Sequence, residues 1–201
     1  MKSPNSLNKR AEYVKDFKCA QTQLNVQMRQ QPSEDVWQPP PPLEACKLNF
    51  DVALFSDSGR SGYVAIIRNE KGEVMTAMTA SGPKVRISDE AELLACQRAI
   101  EFAVDAGFSR MIIEGDNINI IHAISSSVEN ISLSGNVVDD IRHLLWGLQR
   151  SSVCCIRKGG NRVAHALAQY ARNTLDEDLY WMEDSPPPAW MLCIVIFHLF
   201  N

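Results

Sequence analysis

Three acidic residues, Asp51, Glu92 and Asp116, stand where an α/β chain does chemistry. Asp51 interrupts an alternating stretch, Lys47–Phe55, in which Leu48, Phe50, Val52 and Leu54 share one strand face and Asn49, Asp51 and Ala53 the other. Aspartate is depleted in strand interiors, so a carboxylate there is paired with a cation or lies at an edge or cleft. Glu92 falls in the first turn of a long helix, beside its apolar stripe, and Asp116 directly follows a short buried strand. If the first and fourth strands are adjacent and parallel, Asp51 and Asp116 approach across the sheet while the helix brings Glu92 in above them. Like charges packed in this way repel, and a hard divalent cation resolves the repulsion. Oxygen-only ligands favour Mg²⁺ or Mn²⁺, and two such ions would clamp the attacking and leaving oxygens of a phosphodiester. Each residue also has a plainer reading. Asp51 would be solvated on the wet face of its strand, Glu92 would complete a capping box with Asp89, and Asp116 would cap its own helix.

The elements that must position these groups follow from periodicity. After the first strand, Asp57–Gly62 reads as a turn, and Tyr63–Arg68 and Glu73–Thr79 as two more strands joined through Asn69–Gly72. The period then changes: Leu93, Cys96, Ile100 and Ala103 recur at helical spacing over Asp89–Ala106, with Asp89 as cap and Gly107 as stop. Arg110–Glu114 is a short strand, Asp116–Ile124 and Val137–Leu148 are helices, and Ser152–Arg157 is the fifth strand. Asn161 caps a last helix whose inner face carries Ala164, Leu167, Ala168 and Ala171. The order β-β-β-α-β-α-α-β-α predicts an α/β fold, a five-stranded mixed sheet with an antiparallel meander and helices on its faces.

Bulk properties narrow the class. The 201 residues are 45% hydrophobic and 22% charged, as in an ordinary globular protein. A net charge of -4 excludes a strongly basic polynucleotide-coating protein, so any nucleic-acid contact must use a local patch. The six cysteines form no Cys-x-x-Cys pair and read as reduced thiols of an intracellular protein, in nucleus or cytoplasm rather than secreted. Cys96 and one of Cys154 and Cys155 are expected in the core. No apolar run is long enough to span a bilayer; the longest, Ala189–Phe200, is broken by His198. Residues 1–45 read as a flexible lead-in ending in the stiff Pro39–Pro42 linker, 46–184 as the domain, and 185–201 as an apolar tail.

Five segments in order, Leu48-Asn-Phe-Asp51, Ile67-Arg-Asn-Glu-Lys-Gly72, Ala91-Glu-Leu-Leu-Ala95, Ile113-Glu-Gly-Asp116 and Gly160-Asn-Arg-Val-Ala-His-Ala-Leu-Ala168, resemble the ribonuclease H family. More narrowly they look like the reverse-transcriptase-like ribonuclease H domains of plant retrotransposon origin. The resemblance implies a five-stranded mixed sheet, cleavage of the RNA strand of RNA–DNA hybrids, and Asp51, Glu92 and Asp116 as ligands of two magnesium ions. Two positions depart from that pattern. His165 stands where ribonuclease H enzymes normally carry a fourth carboxylate, a position at which the plant-type relatives vary between Asp and His, and Val52 where the family usually has glycine beside the first aspartate. A neutral imidazole is a poor Mg²⁺ ligand; it suits proton transfer near neutrality, and a histidine resting at the helix start without catalysing anything is the alternative. Arg157, Lys158 and Asn161 are candidate phosphate contacts, as is Arg60 in the first turn; surface charge without a ligand is the alternative for each cation. Two other functions fit the same residues: a nucleic-acid-binding or interaction module that no longer cleaves, and a small-molecule α/β domain whose carboxylates are caps. The last is the weakest, because no Gly-rich phosphate loop is present.

Overall fold

The structure, a computed structural model, describes residues 46–85, 87–126, 135–174 and 178–182. The proline-rich lead-in and the apolar tail lie outside these. The first strand, β1 (Cys46–Phe55), runs into β2 (Arg60–Arg68) and β3 (Val74–Gly82), the antiparallel meander the alternation predicts. Gly72 turns β2 into β3 with φ +81°, and Asn69 Oδ1 accepts the Lys71 and Glu73 amides across that turn. Helix α1 (Ser88–Asp105) leads to β4 (Arg110–Gly115), then α2 (Ile118–Ser125), α3 (Gly135–Gly147), β5 (Arg150–Cys155) and α4 (Arg162–Tyr170).

Among the described residues the sheet has six strands in the order β5-β4-β1-β2-β3-β6, one more than expected. The extra strand, β6 (Leu179–Met182), pairs antiparallel with β3 at the edge. At four residues it is too short to show a period. β4 lies parallel to β1 and β5 parallel to β4, the adjacency on which convergence of the carboxylates depends.

Both sheet faces are covered. On one, Leu48, Phe50, Ala65, Ile67 and Met78 pack with Leu93, Cys96, Ala99 and Ile100 of α1, Ile121 of α2 and Ile141 of α3. On the other, Ala53, Phe55, Val64, Ile66 and Trp181 pack with Val163, Ala164, Leu167 and Ala168 of α4. Burial of each leucine, isoleucine, valine, phenylalanine or methionine among them stabilises the fold by about 1.5–3 kcal/mol.

The one-sided reading of β1 needs correction. Its supposed wet face is buried, with Asn49, Asp51 and Ala53 all 4% exposed or less, because α4 closes over a central strand. Leu54, expected inside, is 45% exposed, beyond the last β1–β4 pairing at Asn49.

The polar members of the second face form a connected set. Lys47 Nζ lies 2.5 Å from Glu114 Oε1, Asn49 Nδ2 donates to Glu114 Oε2 at 2.9 Å, and Arg68 Nη2 donates to Asn49 Oδ1 at 2.8 Å. Four polar side chains on three strands thus bond to one another where water is excluded.

Candidate metal centre

Asp51 projects from β1 two residues past the last β1–β4 rung, which pairs Asn49 with Glu114. Asp116 lies two residues past that rung on β4, in the link to α2. Glu92 comes from the second turn of α1, which packs across β1. One carboxylate oxygen from each lies within 4.8 Å of the others, a potential cation site among the described residues. Phe50 helps to set this convergence. Its ring lies where Gly115 has no side chain, and a Cβ there would come within 2.5 Å of Phe50 Cζ. A larger residue before Asp116 would force the two strands apart.

The plainer readings of the three acids do not survive. Asp51 is 4% exposed rather than solvated. Helix α1 begins after Ile87 with no side-chain cap, and Asp89 Oδ1 instead accepts from Asn117 Nδ2 at 3.0 Å, so Glu92 completes no capping box. Asn117, not Asp116, caps α2, its side chain accepting from the Asn119 and Ile120 amides. Asp116 is left to face the other carboxylates.

Electrostatics reflect the crowding. Glu92 is pushed up to about 8, first by burial and then by Asp51, Asp116 and Asp89. Asp51 is raised by burial and by Asp116, against the Val52 amide and His165, which favour its ionised form. The Val52 amide donates to Asp51 Oδ1 at 2.8 Å. Burial and the neighbouring Glu92 also raise the Cys96 thiol, one turn further along α1.

His165 stands at this centre. Its Nδ1 lies 3.0 Å from Asp51 Oδ2, while its side chain remains 63% exposed. One face of the imidazole therefore meets the buried carboxylate and the rest meets solvent. Asn161 fixes that placement. Its carbonyl accepts the His165 amide at 3.0 Å, and its Nδ2 donates to the Phe50 carbonyl, next to Asp51, at 3.0 Å.

Two expectations for Asn161 change accordingly. It makes no side-chain cap bond to α4, and at 1% exposure it is closed to phosphate. Its side chain is instead drawn inward to tie α4 to β1. Arg157 and Lys158 are exposed in the turn between β5 and α4. Arg60 is half-buried and donates to Ser81 Oγ at 2.9 Å. Val52, half-buried, packs on the core beneath α1. The reading of β1 missed Lys47 and Asn49 as buried groups; their signal was the same-face spacing they share with Asp51.

Comparisons with known proteins agree with this geometry. The family model described as "Reverse transcriptase-like" matches residues 49–171, more than half of the chain and all four residues of the centre. No curated protein gives a significant match. Among solved structures, RNase H1 from the halophilic archaeon Halobacterium salinarum is 21% identical with a TM-score of 0.58, covering 64% of this chain and 98% of that one. LC11-RNase H1, isolated from compost, is 18% identical in its complex with an RNA/DNA hybrid, with a TM-score of 0.55 over 64% of this chain and 97% of that one. The N-terminal RNase H domain of a Mycobacterium tuberculosis protein is 17% identical with a TM-score of 0.53, covering 65% and 96%. A sheet in which β4 and β5 run parallel beside an antiparallel meander, the likeness to these structures and the family match agree: the chain belongs to the reverse transcriptase-like family and has the ribonuclease H-like fold.

Proposed function

We propose that the protein is an endonuclease that hydrolyses the RNA strand of RNA–DNA hybrids, with Asp51, Glu92 and Asp116 holding two divalent metal ions, Mg²⁺ or Mn²⁺. The observation that carries this reading is the meeting of three carboxylates from β1, α1 and the β4–α2 link within 4.8 Å. The donor set fits a hard cation. It is all oxygen, and its mutual repulsion, which helps to push Glu92 up to about 8, needs a counter-charge. Such ions supply charge neutralisation at the attacking and leaving oxygens of a phosphodiester.

The chain's own residues do the rest. Glu92 releases its proton when a cation is taken up. Asp51 is held in one rotamer by the Val52 amide and His165. His165, open to solvent on one side, moves a proton between the centre and bulk water. Arg157 and Lys158 receive the backbone phosphates of the hybrid. The hybrid held by LC11-RNase H1 supports this substrate class. Four free thiols among the described residues support a reducing setting, nucleus or cytoplasm.

A second reading is favoured by one observation, the imidazole at 3.0 Å from Asp51 where a ribonuclease H normally carries a carboxylate. One negative charge fewer weakens a second cation position, and the chain would then bind hybrids without cutting them. A labelled RNA–DNA hybrid incubated with Mg²⁺ or Mn²⁺ separates the two. Cleavage that vanishes in Asp51→Asn supports the nuclease; hybrid binding without cleavage supports the binding module. Neither binding nor cleavage would sink both.

A further inference from the structure

The buried polar chain on the α4 side of the sheet is larger than stability requires. A buried ion pair replaced by apolar groups of similar volume usually costs nothing and often stabilises. Here Lys47 and Glu114 are each 1% exposed, and Asn49 and Arg68 are 0% and 7% exposed. Their placement offers another reason to keep them. Asn49 precedes Asp51 by two residues, and Glu114 precedes Asp116 by two. Asn49 and Glu114 face each other on the last rung of the β1–β4 ladder, and beyond it the strands carry the carboxylates of the metal centre. Lys47 and Arg68 face each other across β1 and β2, so the set ties together three adjacent strands below the site.

Backbone hydrogen bonds are indifferent to register, and a parallel pair slides by two residues without exchanging its faces. Such a slide would carry Asp116 about 6.6 Å along β1, out of reach of a shared ion. It would also set Ile112 opposite Asn49 and strand the buried Glu114 and Lys47. The side-chain chain therefore tells registers apart where the backbone does not.

We propose that Asn49 and Glu114, held by Arg68 and Lys47, are positioning residues: their rung fixes the register of β4 on β1 and so the separation of Asp51 and Asp116. The proposal rests on the metal-centre reading above and adds what sets its width. Mn²⁺ affinity is the readout, measured by calorimetric titration on the full chain beside circular dichroism and thermal melting. Asn49→Leu breaks the rung and is expected to weaken Mn²⁺ binding about tenfold or more, the scale at which groups supporting metal ligands act. The double variant Lys47→Met, Glu114→Gln keeps an acceptor for Asn49 without stranding the buried lysine and is expected to hold Mn²⁺ as the wild type does. If Asn49→Leu does not fold, the all-apolar variant Lys47→Met, Asn49→Leu, Arg68→Met, Glu114→Met leaves no charge of the set stranded and is expected to show the same loss.

A lower melting temperature with unchanged Mn²⁺ affinity in the folded variants would make the network merely structural and overturn the proposal. Equal losses in Asn49→Leu and in Lys47→Met, Glu114→Gln would also overturn it, since the ion pair rather than the rung would then matter. A wild-type chain that takes up no Mn²⁺ at millimolar concentration overturns the metal centre itself, and the positioning role falls with it.

Discussion

Glu92→Gln should stabilise the metal-free protein at alkaline pH and leave it unchanged in acid. Glu92 ordinarily ionises near 4.5, and burial beside Asp51 and Asp116 moves it to about 8 in the fold. The folded state therefore holds a proton that the unfolded chain has already lost across that interval. A group raised on folding contributes stability that is complete below about pH 4.5 and is lost as pH rises through about 8. At about 1.4 kcal/mol per pH unit, the displacement sets a ceiling of about 5 kcal/mol. Glu92 is half-buried, so water screens part of this, and about 2 kcal/mol is the figure to expect.

Glutamine keeps the shape and cannot ionise. The variant's advantage should be near zero at pH 5 and grow to about 2 kcal/mol at pH 9, a rise in Tm of roughly 5 °C. Paired melts of both proteins in a chelator, at pH 5, 7 and 9, measure the difference while other titrating groups cancel. Added Mg²⁺ should then restore the wild type at pH 9 far more than the variant. An advantage that is the same at pH 5 and pH 9, or a variant less stable than wild type at pH 9, would refute the argument that burial and its acidic neighbours disfavour ionised Glu92.

Three further outcomes test the surroundings of the site. Gly115→Ala places a Cβ 2.5 Å from Phe50 Cζ and should cost about 1–3 kcal/mol in urea denaturation; adding Phe50→Leu should recover part of it, and strict additivity would show that the two do not meet. Arg157→Ala with Lys158→Ala should weaken hybrid binding and make its salt dependence shallower by about 1–2 in log–log slope; an unchanged slope would place the phosphates elsewhere. His165→Asp supplies a fourth carboxylate beside Asp51 and should tighten Mg²⁺ binding about tenfold through added ligand charge; unchanged affinity would remove that position from the centre.

What the sequence made legible, and what it hid, divides by range. Convergence of Asp51, Glu92 and Asp116 was readable because each falls at the margin of a strongly periodic element, on the condition that β1 and β4 lie side by side, a condition the sheet order meets. Whether each acid was a cap turned on single residues. Asn117 outcompetes Asp116 for the start of α2 because its side chain reaches the Asn119 and Ile120 amides. Helix α1 starts at an uncapped Ile87, leaving Glu92 without a capping role. Such choices between neighbouring residues are made by tertiary contact, not by pattern. Strand β6 was hidden because Leu179–Met182 owes its pairing to β3, about a hundred residues earlier. Asn161 looked like a cap because it precedes a helix; the Phe50 carbonyl, 111 positions back, claims its side chain.

The deeper difficulty lies in β1, where alternation misleads in an instructive way. Polar residues at every second position ordinarily mark the face turned to water, and Lys47, Asn49 and Asp51 obey that pattern. Yet the face they occupy is closed by α4 and by the polar network itself. Period two therefore reports that the two faces differ, not which of them is wet. The apolar face supplies burial energy through Leu48 and Phe50, and this offsets a second face whose polar groups contribute less to stability than apolar ones would. With both faces fixed, a single strand sets packing on one side and carboxylate placement on the other. A one-residue slip would exchange the two faces, burying Asp51 in the apolar core and turning Phe50 toward α4, so fold and metal centre would be lost together.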